Sequence, residues 1–236
     1  MATNNSLAVD SAGGFVSRLC ERDHQDLLSL AARRQIHKGT LIFQTGEPAT
    51  HVYLLATGRA KIFHLSPSGK ELLLWFCLPG EIFGLSEIFQ GAQRQVSAQA
   101  CENSTLLSVA RGDFRNFVEQ RPPVAHVVID LLSSRVRDLG SMMQELVAND
   151  VAGRILMLLT RLMSRYGRQM GDEICLDVHI THQEMADMIG TTRQTVTSTL
   201  STLKRAGALN FRNRRIYIMS ALLQGRTVRA GTTPLT

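Results

Sequence analysis

The alternation of apolar and polar positions changes character twice along the 236 residues. From about residue 34 to 110, short apolar runs such as "TLIF", "HVYLLATG", "KELLLWFCLPG" and "STLLSVA" are separated by Gly39, Gly46, Gly58, Gly69, Gly80 and Gly84. Runs of that length between turn glycines predict an antiparallel β-barrel or jelly roll, a shape that can enclose a small ligand. "ARGDFRNFVEQ" then predicts a short helix, and Pro122-Pro123 end it and start another.

That next helix carries Ala125, Val128, Leu132, Arg135, Leu139, Met142, Leu146 and Asn149, spaced 3, 4, 3, 4, 3, 4, 3. The spacing predicts a heptad seam joining two copies of the chain, with Val128, Leu132, Arg135, Leu139, Met142 and Leu146 as the dimer interface. The alternative is a helix lying on its own barrel. Arg135 is the one charge in the seam, and a buried charge is costly unless it is paired. It marks either control of register or an effector site.

After Asn149-Asp150 the pattern changes again: "VAGRILMLLTRLMSRYG" predicts an apolar helix and "EICLDVHI" a strand. "THQEMADMIGTTRQTVTSTL", residues 181–200, has the periodicity of one helix with Gly190 and two threonines at its centre. Such a break is explained if the chain turns there. Thr181 with Glu184 forms one capping box and Thr191 with Gln194 a second. Met185, Ala186 and Ile189 supply the buried face of the first helix, and Val196, Leu200 and Leu203 that of the next, up to Gly207. A small residue at 186, a turn glycine at 190 and an apolar anchor at 196 fit a helix-turn-helix.

On the second helix Arg193, Gln194, Thr197 and Ser198 lie opposite the apolar face, near the end that enters the major groove in such motifs. Arg pairs with guanine O6 and N7, Gln with adenine N6 and N7, and Thr or Ser with a base edge, a methyl or a phosphate. "LNFRNRRIYIM" predicts a hairpin whose Arg212, Arg214 and Arg215 form a wing on the phosphates, with solvated turn charge as the alternative. Thr181 and Thr191 are further candidate phosphate contacts.

Charge agrees with this division. Residues 1–149 contain 14 Lys+Arg and 14 Asp+Glu, whereas residues 150–236 contain 12 and 6, so the net +6 lies in the C-terminal third. A basic block points to a polyanion partner, and double-stranded DNA is the one expected. No apolar run approaches the ~20 residues that span a bilayer, and the N-terminus lacks the blocks of a signal peptide. A cytoplasmic protein with no membrane partner is expected. Cys20, Cys77, Cys101 and Cys175 are scattered without a C-x-x-C pair, so neither a disulfide framework nor a cysteine zinc site is expected.

With the glycine-punctuated barrel, "GEIFGLSEIF", the long helix, "NDVAGRI" and "ITHQEMADMIGTTRQTVTSTLSTLKRAGAL", the chain resembles the CRP/FNR family of bacterial transcription factors over nearly its whole length. The resemblance implies a homodimer that reads an inverted repeat, acts on RNA polymerase and senses a small effector in its barrel. By position, Arg193, Gln194 and Ser198 match the family's main base-contacting residues. Where cAMP-binding members usually carry Arg, Glu and Arg there, this chain has Arg, Gln and Ser, so its target sequence is expected to differ.

The family's cAMP pocket uses a Gly-Glu pair, an Arg-Ser pair and a Thr-Ser pair on the long helix. The corresponding residues here are Gly84-Leu85, Arg94-Gln95 and Leu139-Gly140. Gly84, Leu85, Arg94, Gln95, Arg135 and Leu139 are therefore the candidate effector pocket, and the lost polar partners disfavour cAMP. One cysteine, Cys20, in the N-terminal region disfavours an iron-sulfur cluster. Gly84 and Ser86, standing where haem-binding members have Cys and His, disfavour that haem ligation. His64 and Cys77 are conceivable axial ligands but read first as core or surface, and His179 and His182 are explained by local structure, so no metal is expected.

The expected architecture is α+β: an N-terminal segment (1–33), an effector-sensing barrel (34–121), a dimerisation helix (122–149), a winged helix-turn-helix domain (150–225) and a flexible tail (226–236). An enzyme is not expected, because the barrel shows neither a metal-ligand cluster nor a nucleophile beside a base. A cytosolic jelly-roll enzyme and a DNA binder without sequence choice are the alternatives.

Overall fold

The computed structural model describes residues 14–89, 91, 93–148, 150–213 and 215–219, without the side chains of 145–148. Asn149, Arg214, the Leu146 side chain, the first 13 residues and the tail at 226–236 lie outside the described residues. The chain divides into two compact units, Met1–Ser141 and Met142–Thr236.

In the first unit, α1 (Glu21–Ser29) precedes eight strands: β1 (Ala31–Ile36), β2 (Leu41–Phe43), β3 (His51–Thr57), β4 (Ala60–Leu65), β5 (Glu71–Cys77), β6 (Ile82–Phe83), β7 (Ser97–Ala100) and β8 (Ser104–Ala110). They form two four-stranded sheets, β1-β8-β3-β6 and β2-β7-β4-β5, every described pairing being antiparallel. This is the expected jelly roll, and its first strand begins at Ala31, ahead of the expected boundary at 34.

The period of two in β3 explains why this strand is buried on both faces. Tyr53 and Leu55 point into the space between the sheets with Phe43, Ile62, Phe83 and Leu106. Val52, Leu54 and Ala56 face the other way, into a second core that includes Leu27 of α1. That core also takes Phe114 and Phe117 of α2 (Arg111–Glu119), and Val124 and Val128 of α3 (Pro122–Ala148). Each such side chain contributes about 1.5–3 kcal/mol when fully removed from water.

The long helix therefore does lie on its own barrel over its first half. Val128 is 2% exposed, and Ala125 and Leu132 pack beside it. Arg135 is buried on the same side, whereas Ile129, Val136 and Met143 are 57%, 69% and 70% exposed. The apolar side chains that α3 turns outward among the described residues are thus Ile129, Val136 and Met143, spaced 7 and 7. Of the expected seam, Val128, Arg135 and Met142 are buried within the chain, and Val128 and Leu132 pack on the barrel.

In the second unit, Asp150 caps α4 (Val151–Tyr166) by accepting from the Gly153 amide at 2.8 Å. Ile155, Leu158, Leu159, Leu162 and Met163 line its buried face. β9 (Gly167–Met170), β10 (Glu173–Leu176), β11 (Leu209–Arg212) and β12 (Arg215–Met219) form one sheet in the order β11-β12-β10-β9. The expected strand at 173–180 ends at Leu176, and β9, with all four residues exposed, had no apolar pattern to announce it. Between β10 and β11 lie α5 (His182–Ile189) and α6 (Arg193–Arg205).

Candidate nucleic-acid interface and effector site

Helix α5 begins with the expected capping box: the Thr181 hydroxyl accepts from the Glu184 amide at 3.1 Å, and the Glu184 carboxylate accepts from the Thr181 amide at 2.7 Å. It stops at Gly190, whose φ of 69° lies in the left-handed region that a side chain disfavours. The turn is one residue longer than expected. Thr191 donates its amide to Ala186, and Thr192 is the cap of α6, accepting from the Thr195 amide at 3.2 Å. Adjacent threonines can each cap, and the backbone bond back to Ala186 commits the first to the turn. Met185, Ala186, Met188 and Ile189 of α5 are buried, as are Val196 and Leu200 of α6.

This packing presents Arg193, Gln194, Thr197 and Ser198 to solvent on one face of α6. No carboxylate among the described residues pairs with Arg193. The hydroxyls are engaged differently: Thr197 donates to the Arg193 carbonyl at 2.9 Å and Ser198 to the Thr195 carbonyl at 3.0 Å. Ser201 and Thr202 do the same one turn on. With their protons turned back into the helix, these oxygens face outward as acceptors. His182, at the start of α5, meets the Thr197 hydroxyl through Nδ1 at 2.8 Å, linking the two helices.

The β11–β12 hairpin turns at Asn213, with φ 49°, and carries Arg212 opposite Arg215. Both arginines are exposed and both are held by acids, Arg212 by Glu173 and Arg215 by Asp177. Neither acid stood out in the sequence, because the pairing depends on the order of strands in the sheet.

The barrel brings together only part of the expected pocket. Arg94 is 1% exposed, between the sheets, with its guanidinium 4.2 Å from the centre of the Phe43 ring and 6.0 Å from that of Tyr53. It donates to the carbonyls of Gly84, at 2.9 Å, and His51, and pairs with Glu87 at 3.2 Å. Gly84 has φ +76°, and a Cβ there would stand 3.0 Å from Arg94 Nη1. The glycine therefore permits the close approach. Leu85 is buried in the helix-facing core instead, and Gln95 is exposed, its amide bonded to the Gln93 carbonyl. Burial, then Arg34 and Arg94, hold the His51 imidazole below its ordinary 6.5, and burial raises the Tyr53 phenol above 10.0.

Glu87 is the residue that the sequence reading missed. It is 5% exposed and supplies the negative charge that a bound anion would otherwise bring to Arg94. Arg135 is more loosely held. Its guanidinium lies 4.8 Å from the Trp75 ring centre and 3.8 Å from Glu81, beyond hydrogen-bond reach. Both its terminal nitrogens, and Trp75 Nε1, are buried donors with no hydrogen-bond acceptor among the described residues. Leu139 is half-buried on α3. Among the described residues no helix is long and apolar enough to cross a membrane.

Residues 33–121 match the cyclic nucleotide-binding domain family and residues 153–222 the Crp-like helix-turn-helix domain. The chain is similar to the global nitrogen regulator of Synechococcus elongatus, with 30% identity over 188 residues, 79% of this chain and 85% of that protein. It is similar to the cyclic AMP receptor protein of Thermus thermophilus, 30% identical over 196 residues that cover 83% and 88% of the two chains. In fold it resembles a CooA mutant from Carboxydothermus hydrogenoformans, with a TM-score of 0.76 at 23% identity, over 91% of this chain and 94% of that one.

Proposed function

Because the chain belongs to the CRP/FNR family of bacterial DNA-binding transcription regulators, we propose that it works as a homodimer that reads an inverted repeat through α6 and answers to a small effector. The observation that carries this reading is the exposed face of α6, where Arg193 and Gln194 have no acidic partner among the described residues. Arg193, Gln194, Thr197 and Ser198 read base edges. Thr181, Thr191, Arg212, Arg214 and Arg215 meet phosphates. The acceptor oxygen of Ser198 suits the amino groups of adenine and cytosine, whereas that of Thr197 already meets His182.

The two copies join through the outward seam of α3, which leaves large apolar side chains in water in a single chain. Two recognition helices on a two-fold axis bind half-sites roughly 34 Å apart. The family's work as regulators makes RNA polymerase the expected protein partner.

cAMP is disfavoured as that effector, because the buried guanidinium of Arg94 is already matched by Glu87, and Leu85, Leu139 and Gly140 offer no side-chain hydroxyl or carboxylate. The effector instead supplies acceptors to Arg135 and Trp75, where donors outnumber acceptors. Arg135 thereby serves the effector rather than dimer register.

To test the readout, operators are selected from random duplexes, and binding to half-site variants is followed by fluorescence anisotropy. Gln194→Glu exchanges a donor-acceptor pair for acceptors alone, and is expected to move preference at one base pair of each half-site by about 1–3 kcal/mol. A uniform loss of affinity with unchanged preference would remove α6 from base readout.

A further inference from the structure

The cations of the second unit are not equivalent. Arg193 faces solvent with no acid beside it, but both described arginines of the hairpin are engaged. Arg212 forks onto Glu173, Nη1 to Oε2 and Nη2 to Oε1 at 2.9 Å each, and its guanidinium carbon lies 4.7 Å from the centre of the Tyr217 ring. Arg215 Nη1 meets Asp177 Oδ1 at 2.5 Å. The arrangement follows from the sheet. β10 lies beside β12, with Glu173 opposite Met219, so an acid at the start of β10 and another just after its end bracket the hairpin. Glu173 and Asp177 are two of the 6 acidic residues in 150–236.

We propose that Glu173 and Asp177 are built-in counter-anions of the wing, which compete with DNA phosphate for Arg212 and Arg215 and so restrain sequence-independent binding. This rests on the reading of the hairpin as phosphate-facing. A free arginine brings salt counterions into play when it meets DNA, and their release drives non-specific affinity. An arginine already neutralised by a carboxylate contributes less of that release, and the carboxylate itself repels the phosphate. The pairs are open to exchange, since both arginine side chains are 51% exposed, Glu173 27% and Asp177 44%. Exposed pairs of this kind are readily broken. The wing then adds little until α6 is seated, and discrimination is left to the base-facing end of α6, where Arg193 has no acid pair among the described residues.

The experiment compares Glu173→Gln, Asp177→Asn and the double variant of the full chain with Arg212→Ala and Arg215→Ala. Anisotropy is recorded on the selected operator and on a scrambled duplex across a salt series. Gln and Asn keep the shape of the acids and remove their charge. The double variant is expected to bind both duplexes more tightly by about threefold to tenfold, with the log K against log salt slope steeper by about one unit. Loss of folding would lower affinity and leave no steeper slope, so it cannot mimic this result. If the acid variants leave affinity and slope unchanged, or weaken binding, while Arg212→Ala weakens both duplexes alike, the counter-anion role is refuted and the phosphate-facing hairpin stands. If neither arginine variant changes binding to either duplex, the hairpin does not face phosphate and the proposal falls with that reading.

Discussion

At the scale of single residues, the barrel is organised around a buried ion pair that a reading of types and spacing could only half find. Arg94 was legible because it falls where the family places an anion-binding arginine; Glu87 was not, since a carboxylate seven residues earlier acquires meaning only when the chain folds back between the sheets. The same holds at 191 and 192, where two threonines satisfy one capping pattern and the Thr191 amide bond to Ala186 selects Thr192. Removing one member of a buried pair leaves an uncompensated charge, at about 3–5 kcal/mol. Glu87→Ala is accordingly expected to lower the stability of the barrel by that order in urea titrations, with Glu87→Gln, which can still accept from Arg94, costing less. Equal small losses for both would mean that the guanidinium finds its partner elsewhere.

Among elements, α3 is where pattern and structure part. Its sequence has apolar residues on two faces, and period analysis alone does not say which face meets the barrel and which meets a second copy. Burial of Val128 and exposure of Val136 separate the two. The elements of the helix-turn-helix were legible almost to the residue, because caps and a turn glycine are local signals. β9 and the shortened β10 were not: β9 has no apolar residue pattern, and β10 is placed by pairing with β12, 40 or so residues on. The two faces of α3 are expected to fail in different ways. Val136→Asp with Met143→Asp should yield a folded monomer with weak operator binding, since the two charges enter only the seam between copies. Val128→Asp should instead unfold the barrel, as it places a carboxylate in the core beside Leu54 and Phe114. Light scattering with circular dichroism distinguishes the two, and a dimer surviving the first pair of substitutions would exclude the outward seam.

For the molecule as a whole, the division of labour was visible in charge before any element was placed: a neutral first 149 residues and a basic remainder. What charge could not show is how the basic remainder is spent, with Arg193 open at the start of α6 and two arginines restrained on the hairpin. The order of strands carries a further implication, for the time the chain takes to fold. β1 pairs with β8, so that Ala31 lies opposite Val109, and β3 also waits for β8. The N-terminal unit, though synthesised first, can close its first sheet only after residue 109 has left the ribosome. Contacts so distant along the chain slow the search for the native state, whereas the α5–α6 pair needs only neighbouring residues. Refolding from urea is therefore expected to proceed in two phases, with helical signal from the C-terminal unit recovered before the fluorescence of Trp75 on β5 reports closure of the barrel. A single phase common to both signals would mean that the two units fold as one.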